Sequence, residues 1–487
     1  MKVVFATAEV SPIAKTGGLG DVCGSLPKAL VSLGHDVTVV MPYYRQARLW
    51  FEKNGVDVHQ ATPTVTISWG NWTAEATFLR AVLPGSEIPL ILVANDFFFE
   101  RDHIYDGIDG VDDFLLRYTF FCRALIRACE LLSVSPDILH CHDWHTALLP
   151  VYLHSGLRGQ SHWSGTRSVY TIHNLNYQGV AGAEAFGLTG LHNRYWAPDA
   201  VEHFGQLNPM KGGILFADQV TTVSPNYARE VKTAAMGAGL DGVLRFIGAR
   251  FEGILNGIDV DEWNPATDQL LPSPFDAGTI RDKVKNKRAL LEEANLHYQP
   301  GTPLITAVSR LVDQKGFQLL IPVMGRLLDA GAQMIILGSG EPWLENALMR
   351  VAAEHAGRCR VWIGFDNALA HRIYGAADML LVPSIYEPCG LNQMYALRYG
   401  AVPIVRMTGG LADTVIPFDG TNPGVATGFG FEVAHPMELY LATWVAMLNY
   451  KDADVWNSLQ SNGMAADFSW GRSAREYGNV YERALRS

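Results

Sequence analysis

Residues 378–384 form an almost unbroken apolar run ending in Pro383 and Ser384. A run of that kind is the pattern of a strand buried on both faces of a parallel sheet, which restricts the fold to an α/β class with crossover helices. The next residues supply the crossover. Glu387 leads through Pro388, Cys389 and Gly390 into Leu391, Met394, Tyr395 and Leu397 at helical spacing. A second apolar strand, residues 402–406, then runs into Thr408, Gly409 and Gly410. Ligands of open α/β sheets bind where strands end, so Glu387 stands at an expected active-site edge. The helix start near Gly390 and Leu391 presents backbone amides that attract phosphate. The glycine pair Gly409-Gly410 lets further amides approach a ligand.

The start of the chain repeats the strand, glycine loop and helix pattern. Residues 2–8 are apolar, the loop 11–21 carries Lys15, Gly17, Gly18 and Asp21, and a helix is expected from about residue 22 to 33. The loop lacks the Gly-Lys-Ser/Thr ending of a nucleotide-triphosphate loop, and its glycine spacing does not fit the dinucleotide fingerprint. A cation with exposed amides remains, suited to an anionic group. A third such turn follows the strand 304–308, where Arg310 and Lys315 bracket the strand end before a helix from Phe317. Arginine grips phosphate as a planar fork and lysine as a point charge, so the pair suits a departing diphosphate.

The chemistry of these residues favours transfer over hydrolysis. A glycosidase needs two carboxylates across the bond, one acidic enough to protonate the leaving oxygen. A diphosphate leaving group needs cations and amides, and Arg310, Lys315 and Lys15 supply them. Glu387 is then assigned to a sugar that develops positive charge, with a nucleophilic role left open. The dense segment His140-Cys141-His142-Asp143-Trp144-His145 lacks a third ligand at a recognisable zinc spacing, and Asp259-Val260-Asp261 has its like at 452–454. No metal is expected.

The ordered motifs KTGGLGD (15–21), HDWH (142–145), TIHN (171–174), LNGID (255–259), SRL (309–311), QKG (314–316), EPCGL (387–391) and TGG (408–410) resemble the bacterial glycogen synthase and plant starch synthase family. The resemblance runs in order from residue 2 to Trp470. It implies an α/β GT-B fold, two Rossmann-like domains facing across a cleft, and a retaining hexosyltransferase that moves glucose from ADP-glucose to the non-reducing end of an α-1,4-glucan. By the same resemblance, Arg310 and Lys315 hold the diphosphate with amides near Gly18, Gly390 and Leu391. Lys15, Gly17, Asp21, Asn256, Thr408, Gly409 and Gly410 complete the nucleotide-sugar side, and Glu387 lies near the transferred glucosyl group. Asp143, His173 and Tyr105 line the sugar and acceptor side. Where relatives carry a Gly-Tyr pair that stacks on adenine, this chain has Gly364-Phe365, which keeps the stacking face and loses a phenolic hydrogen bond. The alternatives are a related GT-B enzyme using UDP-glucose and a non-catalytic glucan-binding or priming scaffold.

Global properties agree. A chain of 487 residues exceeds one ordinary domain. The boundary is expected near residue 260, giving 1–260 and 261–470, with a last helix at 471–487 that the resemblance returns to the first domain. A net charge of −11 without Lys/Arg runs argues against nucleic acid and anionic membrane partners. Six scattered cysteines without a Cys-x-x-Cys pair, no signal-peptide pattern and no membrane-length apolar run point to a cytoplasmic protein.

Overall fold

The computed structural model describes residues 1–107 and 113–487. The chain divides into two compact units, Met1–Gly257 with Trp470–Ser487, and Ile258–Ser469.

Unit 1 is built on strands β1 (Lys2–Ala6), β2 (Asp36–Pro42), β3 (His59–Gln60), β4 (Val65–Trp69), β5 (Trp72–Val82), β6 (Pro89–Ala94), β7 (Ile138–His142), β8 (Arg167–Ile172), β9 (Glu202–His203), β10 (Gln206–Leu207), β11 (Gln219–Thr222) and β12 (Phe251–Gly253). Its main sheet runs β12-β11-β8-β7-β1-β2-β6-β5-β3, with β4 on β5. Every pairing from β12 to β6 is parallel; β3, β4 and β5 add an antiparallel edge. Helices cover the parallel part, so β1 and β7 are buried along nearly their whole length and read as continuous apolar runs rather than alternating ones.

The last helix, Trp470–Arg486, belongs to this unit. Trp470, Ala474, Tyr477, Tyr481 and Ala484 recur at three- and four-residue spacing and are all buried, while Arg472, Arg475, Glu476 and Glu482 take the other side. Tyr481 reaches the sheet interior, where its hydroxyl lies 2.8 Å from His140 Nδ1.

Unit 2 is a six-stranded sheet of β13 (Leu304–Val308), β14 (Gln333–Gly338), β15 (Cys359–Ile363), β16 (Met379–Val382), β17 (Val402–Arg406) and β18 (Phe429–Phe431), in the order β15-β14-β13-β16-β17-β18. All its pairings are parallel. Its core gathers Ile305, Ala307, Met334, Ile336, Met379, Leu381 and Ile404 from the strands and Phe317, Leu320, Met324, Leu344 and Leu348 from the helices. Directly after the domain junction, Trp263 stacks between His371 and Tyr395, with centroids 3.9 and 3.8 Å away, and so anchors the entering chain to two helices of this unit.

Several boundaries differ from the sequence reading. The first helix is Gly18–Ser32, beginning inside the glycine loop rather than near residue 22. The run 378–384 contributes only Met379–Val382 to the strand, because Pro383 has no N–H to continue the ladder. All six cysteines are free and buried, and among the described residues no helix is long and apolar enough to cross a membrane.

Candidate active site

In the parallel part of each sheet the strand order reverses at one place, and ligands of open parallel sheets bind outside the strand ends there. In unit 2 it lies between β13 and β16. The loop after β13 carries Arg310 and Lys315, and the loop after β16 carries Glu387. The two loops are joined by backbone: Ile385 N–H donates to Gln314 O at 2.8 Å, and Gln314 Nε2 donates to Tyr386 O at 3.3 Å. Gly316 sits at the crossing with φ +75°, and a Cβ there would lie 1.9 Å from Pro383 O. This close approach brings Lys315 Nζ to 2.6 Å from Glu387 Oε2, the oxygen that also accepts from Ser384 Oγ at 2.9 Å. Glu387 is 5% exposed, and Arg310 is exposed at the end of β13.

Behind Glu387 the helix Asn392–Arg398 begins at Leu391 with no side-chain cap, while Gly390 takes φ +72°. Asn392 Nδ2 ties this start to Val308 O of β13. Gly409 and Gly410 pack closely against the loop that carries Glu387. A Cβ on Gly409 would lie 1.8 Å from Glu387 O, and one on Gly410 would lie 2.1 Å from Cys389 O. The Gly410 amide donates to Glu387 O at 3.1 Å. The pair is therefore small so that it can pack under the Glu387 loop, and the Gly410 amide is already bonded rather than open to a ligand. Phe365 follows Gly364 (φ +140°) and is 80% exposed, leaving its ring face unstacked against the core.

In unit 1 the strand order reverses between β1 and β7. Past β1 stands Glu9, which the sequence reading did not single out, although a lone acid between a buried strand and a glycine loop was visible there. It is 3% exposed; its Oε2 accepts from Thr16 N–H at 2.6 Å and Gly17 N–H at 3.1 Å, and Tyr105 OH donates to Oε1. Burial raises its carboxyl above the ordinary range against these donors. Glu9 thus holds the glycine loop and Tyr105 together. Lys15, expected as an open cation, instead pairs with Asp21 at 2.7 Å, both side chains about one-third exposed. Asp21 is Lys15's partner here.

Past β7, Asp143 adopts φ +53°, a left-handed conformation unusual for a side-chain-bearing residue. Its Oδ1 accepts from His173 N–H at 2.6 Å and Asn174 N–H at 3.4 Å, joining the ends of β7 and β8. Burial pushes its carboxyl up to about 7 despite those donors, with nearby Glu9 adding to the rise. Tyr105 stacks on His145 at 5.3 Å. Asn256 is buried, and its Oδ1 has no hydrogen-bond partner among the described residues. The histidines weighed as metal ligands are engaged otherwise: His140 bonds Tyr481 and Thr171, and His142 bonds His173. Among the described residues no group of three or more His, Cys, Asp or Glu side chains is placed to hold a metal ion.

Comparison with known proteins bears on the whole chain. Residues 2–246 match the family described as "Starch synthase catalytic domain", and residues 292–441 match "Glycosyl transferases group 1". The chain is 42% identical over 486 residues to a glycogen synthase of Thermotoga maritima, covering 100% of this chain and 99% of that protein. It is 41% identical over 486 residues to a glycogen synthase of Geotalea daltonii, with the same coverage. The solved catalytic domain of starch synthase IV from Arabidopsis thaliana bound to ADP and acarbose is similar with a TM-score of 0.91 at 36% identity, covering 100% of this chain and 99% of that one. A sucrose-phosphate synthase from Thermosynechococcus elongatus shares the fold alone, at a TM-score of 0.62 and 17% identity. The fold is GT-B, and the chain belongs to the glycogen synthase and starch synthase family of retaining glycosyltransferases.

Proposed function

We propose that the protein transfers glucose from ADP-glucose to the non-reducing end of an α-1,4-glucan, with retention and without a metal. The observation that carries this reading is the Lys315–Glu387 pair, held at the strand-order reversal of unit 2 beside Arg310. The bond between C1 and the diphosphate oxygen breaks with its electrons leaving on ADP. A bond forms from C1 to the acceptor oxygen, whose proton passes to the departing ADP or to solvent. Arg310, Lys315 and the uncapped first turn of the helix Asn392–Arg398 stabilise the charge that grows on the diphosphate. Glu387 faces the positive charge that grows on the sugar. Phe365 offers a ring face to the base, and Gly390 lets the loop after Glu387 turn toward the diphosphate.

Unit 1 supplies the sugar and acceptor residues. Asp143, His173, Asn256 and Tyr105 present hydrogen-bonding groups at its strand ends. Lys15, paired with Asp21, is the cation of the glycine loop, with Gly17 and Gly18 offering close backbone approach to an anion. Support comes from the similar starch synthase IV structure, which is bound to ADP and acarbose. The test is transfer to glycogen from ADP-glucose and UDP-glucose side by side in chelator, with product linkage checked by α-1,4-specific digestion. A strong ADP-glucose preference is expected. UDP-glucose preference would move the base assignment of Phe365, and inactivity with both donors would favour a binding scaffold.

A further inference from the structure

His142 lies in neither the nucleotide-binding nor the sugar-facing set, yet its geometry bears on both. It shares a face of β7 with His140, the ring centroids 4.2 Å apart, and Phe5 of β1 packs against both rings. His140 has both nitrogens engaged, Nδ1 with Tyr481 OH at 2.8 Å and Nε2 with Thr171 Oγ1 at 2.7 Å. His142 has one: its Nδ1 lies 3.0 Å from His173 Nε2, whereas its own Nε2 is sealed without a partner among the described residues. Burial holds all three imidazoles below their ordinary range, His173 down to about 3, so each carries a single ring proton near neutrality.

Two neutral imidazoles at 3.0 Å share one hydrogen bond, and only two arrangements exist. If His173 Nε2–H donates, the His142 proton must sit on Nε2, where an N–H is buried with nothing to accept it. If His142 Nδ1–H donates, the sealed atom is instead a bare ring lone pair. Orphaned buried N–H groups are the rarer and costlier case. The second arrangement wins, and it leaves His173 with its proton on Nδ1. His173 retains 8% exposure while His140 and His142 retain none, so the reachable edge of the stack is a His173 edge.

We propose that His142 is a positioning residue that fixes His173 as its Nδ1–H tautomer, so that His173 meets the sugar as a hydrogen-bond donor to a hydroxyl oxygen. Two consecutive residues support His173 from different sides. The His142 ring orients its ring, and the Asp143 carboxylate holds its backbone amide. The tautomer stands on the ring geometry and on burial keeping both rings neutral; its consequence for transfer rests on the sugar-side placement of His173.

Long-range proton–nitrogen correlation spectra of the full chain labelled with 15N-histidine test the first half directly, with His173 signals assigned by their loss in His173→Asn. A protonated Nδ1 and bare Nε2 on His173 are expected. His142→Asn keeps a side-chain N–H near the position of Nδ1 and preserves that signature, whereas His142→Leu withdraws the hydrogen bond to Nε2 and leaves the ring free to turn, so the His173 signals shift and broaden. In transfer assays His142→Leu should lower kcat/KM about two- to tenfold, the worth of one neutral hydrogen bond, with His142→Asn restoring most of it. A wild-type His173 protonated on Nε2 overturns the proposal even if neither His142 variant folds. Altered His173 signals in His142→Leu with undiminished kcat/KM overturn the link to catalysis and trace the failure to the sugar-side placement of His173.

Discussion

Asp143→Asn is expected to make the protein more stable and less active, by an amount that depends on pH. The folded carboxyl keeps its proton to about pH 7, whereas the unfolded one releases it near the ordinary value of 3.8. Between those values the unfolded state binds fewer protons, so stability falls as pH rises through the window, and the loss is complete above about pH 7. At about 1.4 kcal/mol per pKa unit, the cost of carrying the ionised carboxylate reaches about 4 kcal/mol at pH 8 and stays under about 2 kcal/mol at pH 5. Asparagine never carries that charge. It retains an oxygen for the His173 and Asn174 amides, and, being nearly isosteric with aspartate, it makes the same demand on the φ +53°, ψ −176° backbone. Urea unfolding of variant and wild type at pH 5 and pH 8 measures the difference. The variant's advantage should grow by about 2 kcal/mol or more between them, while glucosyl transfer falls. An advantage that does not change with pH, or a variant equally destabilised at both, would refute the assignment of a buried, costly carboxylate.

Glu387→Gln should lower kcat by roughly 10²–10³, the usual cost of losing one preorganised electrostatic contact, with donor affinity nearly unchanged by calorimetry; undiminished turnover would remove its central role. Lys315→Ala should instead weaken donor binding as well as turnover, and equal donor affinity in both variants would contradict the division of labour. Glu9→Gln keeps an oxygen for the Thr16 and Gly17 amides but offers Tyr105 a neutral partner, and should raise the KM for the sugar substrates by loosening the glycine loop and Tyr105; an unchanged KM would show that the glycine loop holds itself. Gly409→Ala places a methyl 1.8 Å from the Glu387 carbonyl at φ +47° and should lower the melting temperature and abolish transfer together, so retained activity in a folded variant would contradict the packing role.

Much of the site was legible because parallel sheets turn sequence order into position. A buried apolar run followed by a polar turn marks a strand end, which is how Lys315 and Glu387 were found from residues far apart in the chain. What the pattern did not convey was pairing between loops. Lys15 looked like an open cation because Asp21 follows it along a helix that starts earlier than its capping residues suggest. The close packing of Gly409 and Gly410 against the Glu387 loop was not legible, because a sequence does not show which backbone will cross above them. Glu9 was passed over, and His142 was weighed only as a metal ligand and as part of a motif, for a related reason: a buried polar residue inside an apolar strand or at its end gains meaning only when its donors and acceptors are known.

The final helix, Trp470–Arg486, carries a consequence for biosynthesis. Its buried side chains complete the core of a unit whose other residues end at Gly257, and the whole of Ile258–Ser469 intervenes. On the ribosome the second unit, being continuous, can finish folding while the first still lacks a wall. At about 5–20 residues per second of synthesis, that delay is on the order of tens of seconds. During it the apolar surface that receives Tyr477 and Tyr481 is open to chaperones and to aggregation. A nascent chain paused shortly before Trp470 would be the species most in need of protection.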